Sequence, residues 1–342
     1  MLLVMMLRRT LLLTLAVTIC VGNMHAQVSA HPVLRKRTAR VMGTSLELEA
    51  IGSDPDLLDK ALDAALKEII RVEDLMTDWR PSPLEDLNNA AGKGPQVVNP
   101  ELYALIARGV KLGELSAGAF DITYAGAGKL WDFKQQPPLV PTTEQLGAAL
   151  ANVGYARLKL DPELFTIDLP AGMSVGLGGI AKGYGVDRAM AVLMQHGIQH
   201  GIVNAGGDLK ALGTKFGKPW EIAIRHPRQQ ERVLALLPVS NVCVVTSGDY
   251  ERFFEVDGKR YHHILDPRTG SPSTGCMSAT VTAPDAALAD ALATALCVLS
   301  PESGLELVAS LRRVEALLVG MDGQVHVSDG LKGLSSKVAE PK

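Results

Sequence analysis

GLGGIAKGYGVD, residues 176–187, is the stretch on which the fold class turns. Gly176-x-Gly178-x-x-Ala181 has the spacing of a dinucleotide-binding fingerprint, which would imply a doubly wound parallel sheet. Two features speak against that reading. The acid that should follow roughly 20 residues later is missing, because residues 195–203 contain none. The stretch also lies mid-chain and does not open a strand–helix–strand unit. What remains is a loop whose glycines at 176, 178 and 179 let backbone N–H groups approach a ligand. A helix begins behind it, and its N-terminus favours phosphate, with Lys182 adding a point charge. Glycines serving close strand–helix packing are the competing explanation.

The flanking sequence supports a mixed fold. Residues 41–50 alternate, with Leu46, Leu48 and Ala50 on one face and Ser45, Glu47 and Glu49 on the other, as in a strand. Asp54-Pro55 reads as a helix N-cap followed by proline in the first turn, and Leu58, Leu62, Leu66, Ile69, Val72 and Met76 recur at helical spacing. Asn99-Pro100 starts a second helix in the same way. Residues 154–169 read as two short strands around Asp161-Pro162, and the helix behind the glycine-rich stretch should end near His196-Gly197. Strands dominate residues 200–265, and helix returns from about residue 283. With no steady strand–helix alternation, no repeat and no linker, the pattern predicts an α+β protein.

Composition agrees with a packed body. Of 342 residues, 47% are hydrophobic and 21% charged, which excludes extensive disorder. The formal net charge is -3, and removing residues 1–30, which carry Arg8 and Arg9 and no acids, takes it to about -5. So weak a field gives no reason to expect nucleic acid as a partner. Residues 1–30 read as an export signal. A basic-ended start precedes an apolar run over residues 11–21, and Val28-Ser29-Ala30 suits a signal peptidase. The run is too short to span a bilayer, which takes about 20 residues. A periplasmic location follows, with Sec and twin-arginine export both open. Cys20 follows Val17-Thr18-Ile19, which lacks the small residue of a lipid-anchor site, so no anchor is expected. Cys243, Cys276 and Cys297 are odd in number and show no CxxC spacing, so neither a disulfide framework nor a zinc site is indicated.

The segment AALADALATALCVL, residues 286–299, carries the sharpest chemical signal. Asp290 and Thr294 are its only polar residues, and their spacing of four places them on one face of a helix otherwise suited to burial. A buried aspartate must be neutralised, hydrogen-bonded or bound to a cation, and an Asp–Thr pair offers oxygen ligands suited to Mg²⁺. A hydrogen-bonded pair that only orients backbone is the alternative. HHILDPRTGSP, residues 262–272, sets two histidines before tight turns, and a histidine so placed would serve as a general base. GIVNAGGD (201–208) reads as a turn without chemistry of its own. SGDYERFF (247–254) holds aromatics equally suited to core or cofactor stacking. GAFDITYAG (118–126) sets Phe120 and Asp121 between glycines, and Trp79 precedes a proline-rich loop placed to cap a site.

Taken in order, these segments resemble the FAD:protein FMN transferase family, the ApbE-type flavin transferases. The match begins at Met42-Gly43-Thr44 and runs through Trp79, residues 82–88, GAFD, GGIAKGYGVD, NAGGD and SGDYERFF. It closes with HHILDPRTGSP and ADALATA. The string His263-Ile264-x-Asp266-Pro267-x-Thr269-Gly270 is its most specific part. The resemblance implies a single flavin transferase domain over residues 31–342, with two intertwined subdomains and an FAD cleft between them. It places Met42, Trp79, Ala119, Phe120, Asp121, Lys182, His263 and Ile264 along FAD. It assigns Gly179 (through its carbonyl), Asp290 and Thr294 to Mg²⁺. It implies transfer of FMN from FAD to a Thr or Ser hydroxyl of an exported acceptor protein, with a membrane-bound acceptor left open, and His263 is the candidate base for that hydroxyl's proton. FAD hydrolysis to FMN and AMP, or flavin binding without catalysis, are the alternatives. One departure stands out: the family's aspartate before Leu-Gly-Gly is Gly176 here.

Overall fold

The computed structural model describes residues 31–229 and 231–333, so the expected export signal over residues 1–30 lies outside the described residues. The chain opens with a hairpin of β1 (Val33–Val41) and β2 (Thr44–Gly52). Met42 and Gly43 form its two-residue turn, at φ 52° and 72°, the positive-φ pair that matches strand twist. The strand expected over residues 41–50 is therefore the second arm of a hairpin. Helix α1 (Pro55–Met76) starts where Asp54 accepts hydrogen bonds from the Asp56 and Leu57 N–H groups. Then come α2 (Pro83–Asn89), β3 (Gln96–Val97), α3 (Pro100–Leu115), the single turn α4 (Ala125–Gly128) and α5 (Thr143–Leu150). The strands expected on either side of Asp161-Pro162 are β4 (Lys159–Asp161) and β5 (Thr166–Asp168).

Helix α6 (Ala181–Gln195) follows the glycine-rich stretch. Next are β6 (His200–Ala205), β7 (Asp208–Leu212), β8 (Trp220–Arg225), β9 (Val233–Val239), β10 (Val242–Gly248), β11 (Phe253–Val256) and β12 (Lys259–His262). The chain ends with β13 (Cys276–Ala283), α7 (Ala286–Val298), α8 (Pro301–Ala309), β14 (Glu315–Gly320) and β15 (Val325–Val327). Helix does return after residue 283, but so does strand: β14 and β15 complete the main sheet.

That sheet has eight strands in the order β1-β2-β6-β7-β10-β13-β14-β15, and each neighbouring pair is antiparallel. No parallel crossover is present in it, which rules out the doubly wound reading and bears out the α+β class. One face packs on α1, α6 and α7 through Leu48, Leu62, Ile69, Val186, Ala289 and Leu296, all fully buried. The β8–β9 hairpin covers part of the other face through Trp220, Ile224 and Leu237. On that side Glu49, only 4% exposed, pairs with Lys36 and with Lys215 (3.2 Å). Among the described residues no helix is long and apolar enough to cross a membrane.

Candidate functional site

A single cleft gathers every residue the sequence singled out for ligand chemistry. Met42, Trp79, Ala119, Phe120, Asp121, Lys182, His263 and Ile264 line it, together with Gly179, Asp290 and Thr294. These side chains come from six separate segments, so their convergence is a property of the fold.

The floor is built where α6 meets α7. Gly183 sits against the start of α7 so closely that a Cβ there would lie 2.1 Å from the Ala286 carbonyl oxygen. Asp187, one turn further along α6, accepts hydrogen bonds from the N–H groups of Ala286 (2.8 Å) and Ala287 (3.0 Å) and pairs with Lys210 (2.6 Å). This side chain caps α7 from outside and sets the angle between the helices. Asp290, 1% exposed, consequently accepts from the Gly183 N–H (3.0 Å) and from Lys182 Nζ (3.2 Å). Thr294 lies one turn on, and a Cβ added at Gly179 would come within 3.3 Å of its Oγ1 and 3.0 Å of the Phe120 ring. Glycine at 179 thus lets the backbone approach the Thr294 hydroxyl, one helical turn from Asp290.

Lys182 bridges Asp290 and Asp208, a buried acid on β7. Burial works against the lysine's charge, but the two carboxylates outweigh it and hold the ammonium well above its ordinary value. Burial pushes the Asp208 carboxyl up to about 7, Lys182 opposing and Asp290 reinforcing the shift. The sequence reading of residues 201–208 as a bare turn missed this role. No local signal reveals it, because the partner is 26 residues earlier on another element.

Among the described residues no three His, Cys, Asp or Glu side chains cluster as a metal site. The donor set of one carboxylate, one hydroxyl and backbone suits a hard cation that keeps most of its own water or takes oxygens from its substrate. A buried aspartate whose only strong counter-charge is a lysine is compatible with that occupant, so the residues present fit the ion.

The wall opposite is the loop over residues 262–274. His263 N–H donates to the Arg252 carbonyl (3.0 Å), while its ring Nδ1 is buried without a partner. Burial, aided by Arg252 and His262, brings the imidazole down to about 4, so it is neutral at ordinary pH. His262 faces away and its Nε2–H donates to the Ser273 carbonyl (3.0 Å). The loop is clamped by Trp131, whose Nε1–H donates to the Gly270 carbonyl (2.8 Å), and by Asp266, whose backbone carbonyl accepts from Gly270 (2.8 Å). Phe254 stacks with Tyr261 and packs at a tilt against Trp131 in a separate aromatic cluster, so that aromatic is core.

Asp121 lines the cleft, but its oxygens accept from Thr123 N–H (2.7 Å), Thr123 Oγ1 (2.6 Å) and Tyr155 N–H (2.9 Å). Its observed work is to shape the loop that presents Phe120. Trp79, 63% exposed, lines the cleft beside the proline-rich loop that follows it. Glu73, Asp78, Tyr124 and Arg252 also line the cleft and were not singled out from sequence.

A family model for the ApbE family matches residues 42–318. The chain belongs to the ApbE family. A FAD:protein FMN transferase of Treponema pallidum is 38% identical over 267 residues, covering 73% of this chain and 74% of the relative. The protein of the same name from Escherichia coli K12 is 34% identical over 279 residues, 77% of this chain and 78% of its own length. Among solved structures, the ApbE protein of Thermotoga maritima superposes with a TM-score of 0.82 at 32% identity, covering 89% of this chain and 99% of that one. The flavin transferase ApbE of Vibrio cholerae gives 0.78 at 30%, with coverage of 89% and 99%. The cleft described above therefore lies in an ApbE fold.

Proposed function

We propose that this chain is an FAD:protein FMN transferase that moves FMN from FAD to a Ser or Thr hydroxyl of an exported acceptor protein, with AMP leaving. The observation that carries this reading is the meeting of an oxygen-only cation corner, a part-buried lysine and a neutral histidine in one cleft at the N-terminus of α6. The acceptor oxygen forms a bond to the FMN phosphorus as the bond from that phosphorus to the AMP oxygen breaks. Mg²⁺ held by Asp290, Thr294 and the Gly179 backbone would supply charge neutralisation at the pyrophosphate.

Lys182 is positioned to add a second positive charge, steadied by Asp208 as well as Asp290. The glycine-rich turn lets backbone lie against phosphate without side chains in the way. His263 keeps its ring neutral, so a lone pair is available to take the acceptor's proton, and an anionic pyrophosphate in the cleft would raise its basicity. The attacking hydroxyl belongs to the partner, and this chain needs no nucleophile of its own. Residues 1–30 read as the signal that would bring the enzyme to an exported acceptor in the periplasm.

The test is to incubate the purified chain with FAD, Mg²⁺ and a candidate acceptor domain, then denature and image flavin fluorescence in the gel. A fluorescent acceptor band is expected. Free FMN and AMP without that band would replace transfer with hydrolysis, and unchanged FAD would leave binding alone.

A further inference from the structure

Four acids line the cleft wall and floor, and three of them have their oxygens engaged. Glu73 accepts from the Met42 N–H (2.9 Å), Asp121 takes two hydrogen bonds from Thr123 and one from the Tyr155 N–H, and Asp290 is held by Gly183 and Lys182. Asp78 is the fourth. It follows α1, lines the cleft, and among the described residues accepts no hydrogen bond from another residue and forms no ion pair, its own N–H being the donor it has. Burial pushes its carboxyl above the ordinary aspartate value, with its own N–H and the distant Lys129 only partly offsetting this. An acid left half-buried in that way costs stability unless a ligand answers it.

The space beside this carboxylate is specific. A Cβ added at Gly176 would lie 3.3 Å from Asp78 Oδ2 and 2.8 Å from the Ala125 methyl. Gly176 does not have a positive φ, so backbone conformation does not call for glycine there. Its N–H donates to the Ile122 carbonyl (2.8 Å), which fixes the backbone in place. Residue 176 is glycine because Asp78 and Ala125 fill the volume its side chain would need.

We propose that Asp78, whose carboxylate lies beside Gly176, is a substrate-binding residue that accepts hydrogen bonds from hydroxyl or N–H groups of FAD. This rests on the reading that the cleft binds FAD. A carboxylate repels phosphate, so Asp78 belongs with one of the donor-bearing parts of the molecule. These are the flavin ring with its ribityl chain, or the adenosine half. The two halves are separable by experiment.

Dissociation constants for FAD, riboflavin and ADP would be measured by fluorescence quenching or calorimetry for wild type, Asp78→Asn and Asp78→Ala. Loss of a hydrogen bond to a charged acceptor should weaken FAD by about 10- to 100-fold in Asp78→Ala, and less in Asp78→Asn, which keeps an acceptor oxygen. The same loss with riboflavin and not with ADP assigns the flavin half, and the reverse assigns adenosine. Either result supports the proposal.

The triple variant Asp78→Ala/Ala125→Gly/Gly176→Asp returns a carboxylate from the other side of the gap and removes the methyl its Cβ would meet. It should bind FAD more tightly than Asp78→Ala, and no recovery in a triple variant that melts with the wild type would overturn the placement. Wild-type binding of FAD with Asp78→Ala binding equally well would overturn this proposal alone. A wild-type chain that does not bind FAD would overturn the reading of the cleft as well.

Discussion

Gly183→Ala should damage this protein through the contact that assembles the cleft floor. In an isolated helix the change would gain about 1 kcal/mol from propensity. Here the new methyl would lie 2.1 Å from the Ala286 carbonyl oxygen and 2.5 Å from its carbon. Both are backbone atoms in the first turn of α7, so no rotamer change relieves the overlap. Reaching an ordinary contact needs the helices to separate by about 1 Å, and overpacking of this kind costs roughly 1–3 kcal/mol. Separation also draws Asp187 from the Ala286 and Ala287 N–H groups, a cap worth about 0.5–2 kcal/mol. The net loss should be about 2 kcal/mol. Gly147→Ala is the matched comparison, because that helical position has nothing within 4 Å of the added Cβ. It should gain about 0.5–1 kcal/mol. Urea unfolding followed by tryptophan fluorescence measures both. If Gly183→Ala shifts stability in the same direction as Gly147→Ala, the close α6–α7 packing, and the placement of Asp290 that depends on it, are wrong.

Asp290→Asn should cut Mg²⁺-dependent turnover of FAD by about 100-fold or more, the scale of one lost electrostatic contact to a transition state; full turnover would remove Asp290 from the cation corner. His263 has a folded-state pKa of about 4, below its ordinary 6.5, so its contribution to stability is complete above pH 6.5 and is lost as pH falls toward 4. His263→Gln should therefore flatten the acid limb of a stability–pH curve by up to about 3 kcal/mol, and an unchanged limb would show that the ring is not buried in its neutral form. Trp131→Phe leaves the Gly270 carbonyl without its donor. It should cost about 1–3 kcal/mol and raise the KM for FAD by loosening the loop over residues 262–274, as thermal unfolding and steady-state kinetics would test.

The parts of the fold that were legible in sequence are those where local pattern and tertiary packing agree. α1 combines an N-cap, a proline in its first turn and an apolar stripe, and its buried residues include Leu58, Leu62, Ile69, Val72 and Met76 from that stripe. β1 was missed for the opposite reason. It is an edge strand carrying Arg35, Lys36, Arg37 and Arg40, the charge that protects an exposed edge and also erases strand periodicity. β14 is a short apolar run, Glu315–Gly320, and such a run does not by itself distinguish strand from helix. Asp290 was legible because a helix with eleven buried residues leaves a buried acid conspicuous. Asp78 and Asp208 were not, since each owes its environment to a segment remote in sequence.

The acids of the quoted motifs show why motif and mechanism are separable questions. Asp187 sits inside the glycine-rich stretch, yet its oxygens serve Ala286, Ala287 and Lys210. Asp249 lies in SGDYERFF and is held by both terminal nitrogens of Arg228 at 2.6 Å. Asp266, in the most specific string of all, takes Arg268 Nε at 2.8 Å. Asp121 is committed to Thr123 and Tyr155. Each of these acids positions a loop or helix, and each would look equally catalytic in a sequence. Asp290 keeps a lysine that a cation can replace as counter-charge, and Asp78 accepts no hydrogen bond from any other described residue. Ligand chemistry belongs where acceptor capacity is left over, and in this cleft that criterion points to Asp290 as the proposed metal ligand and to Asp78 as the proposed substrate ligand.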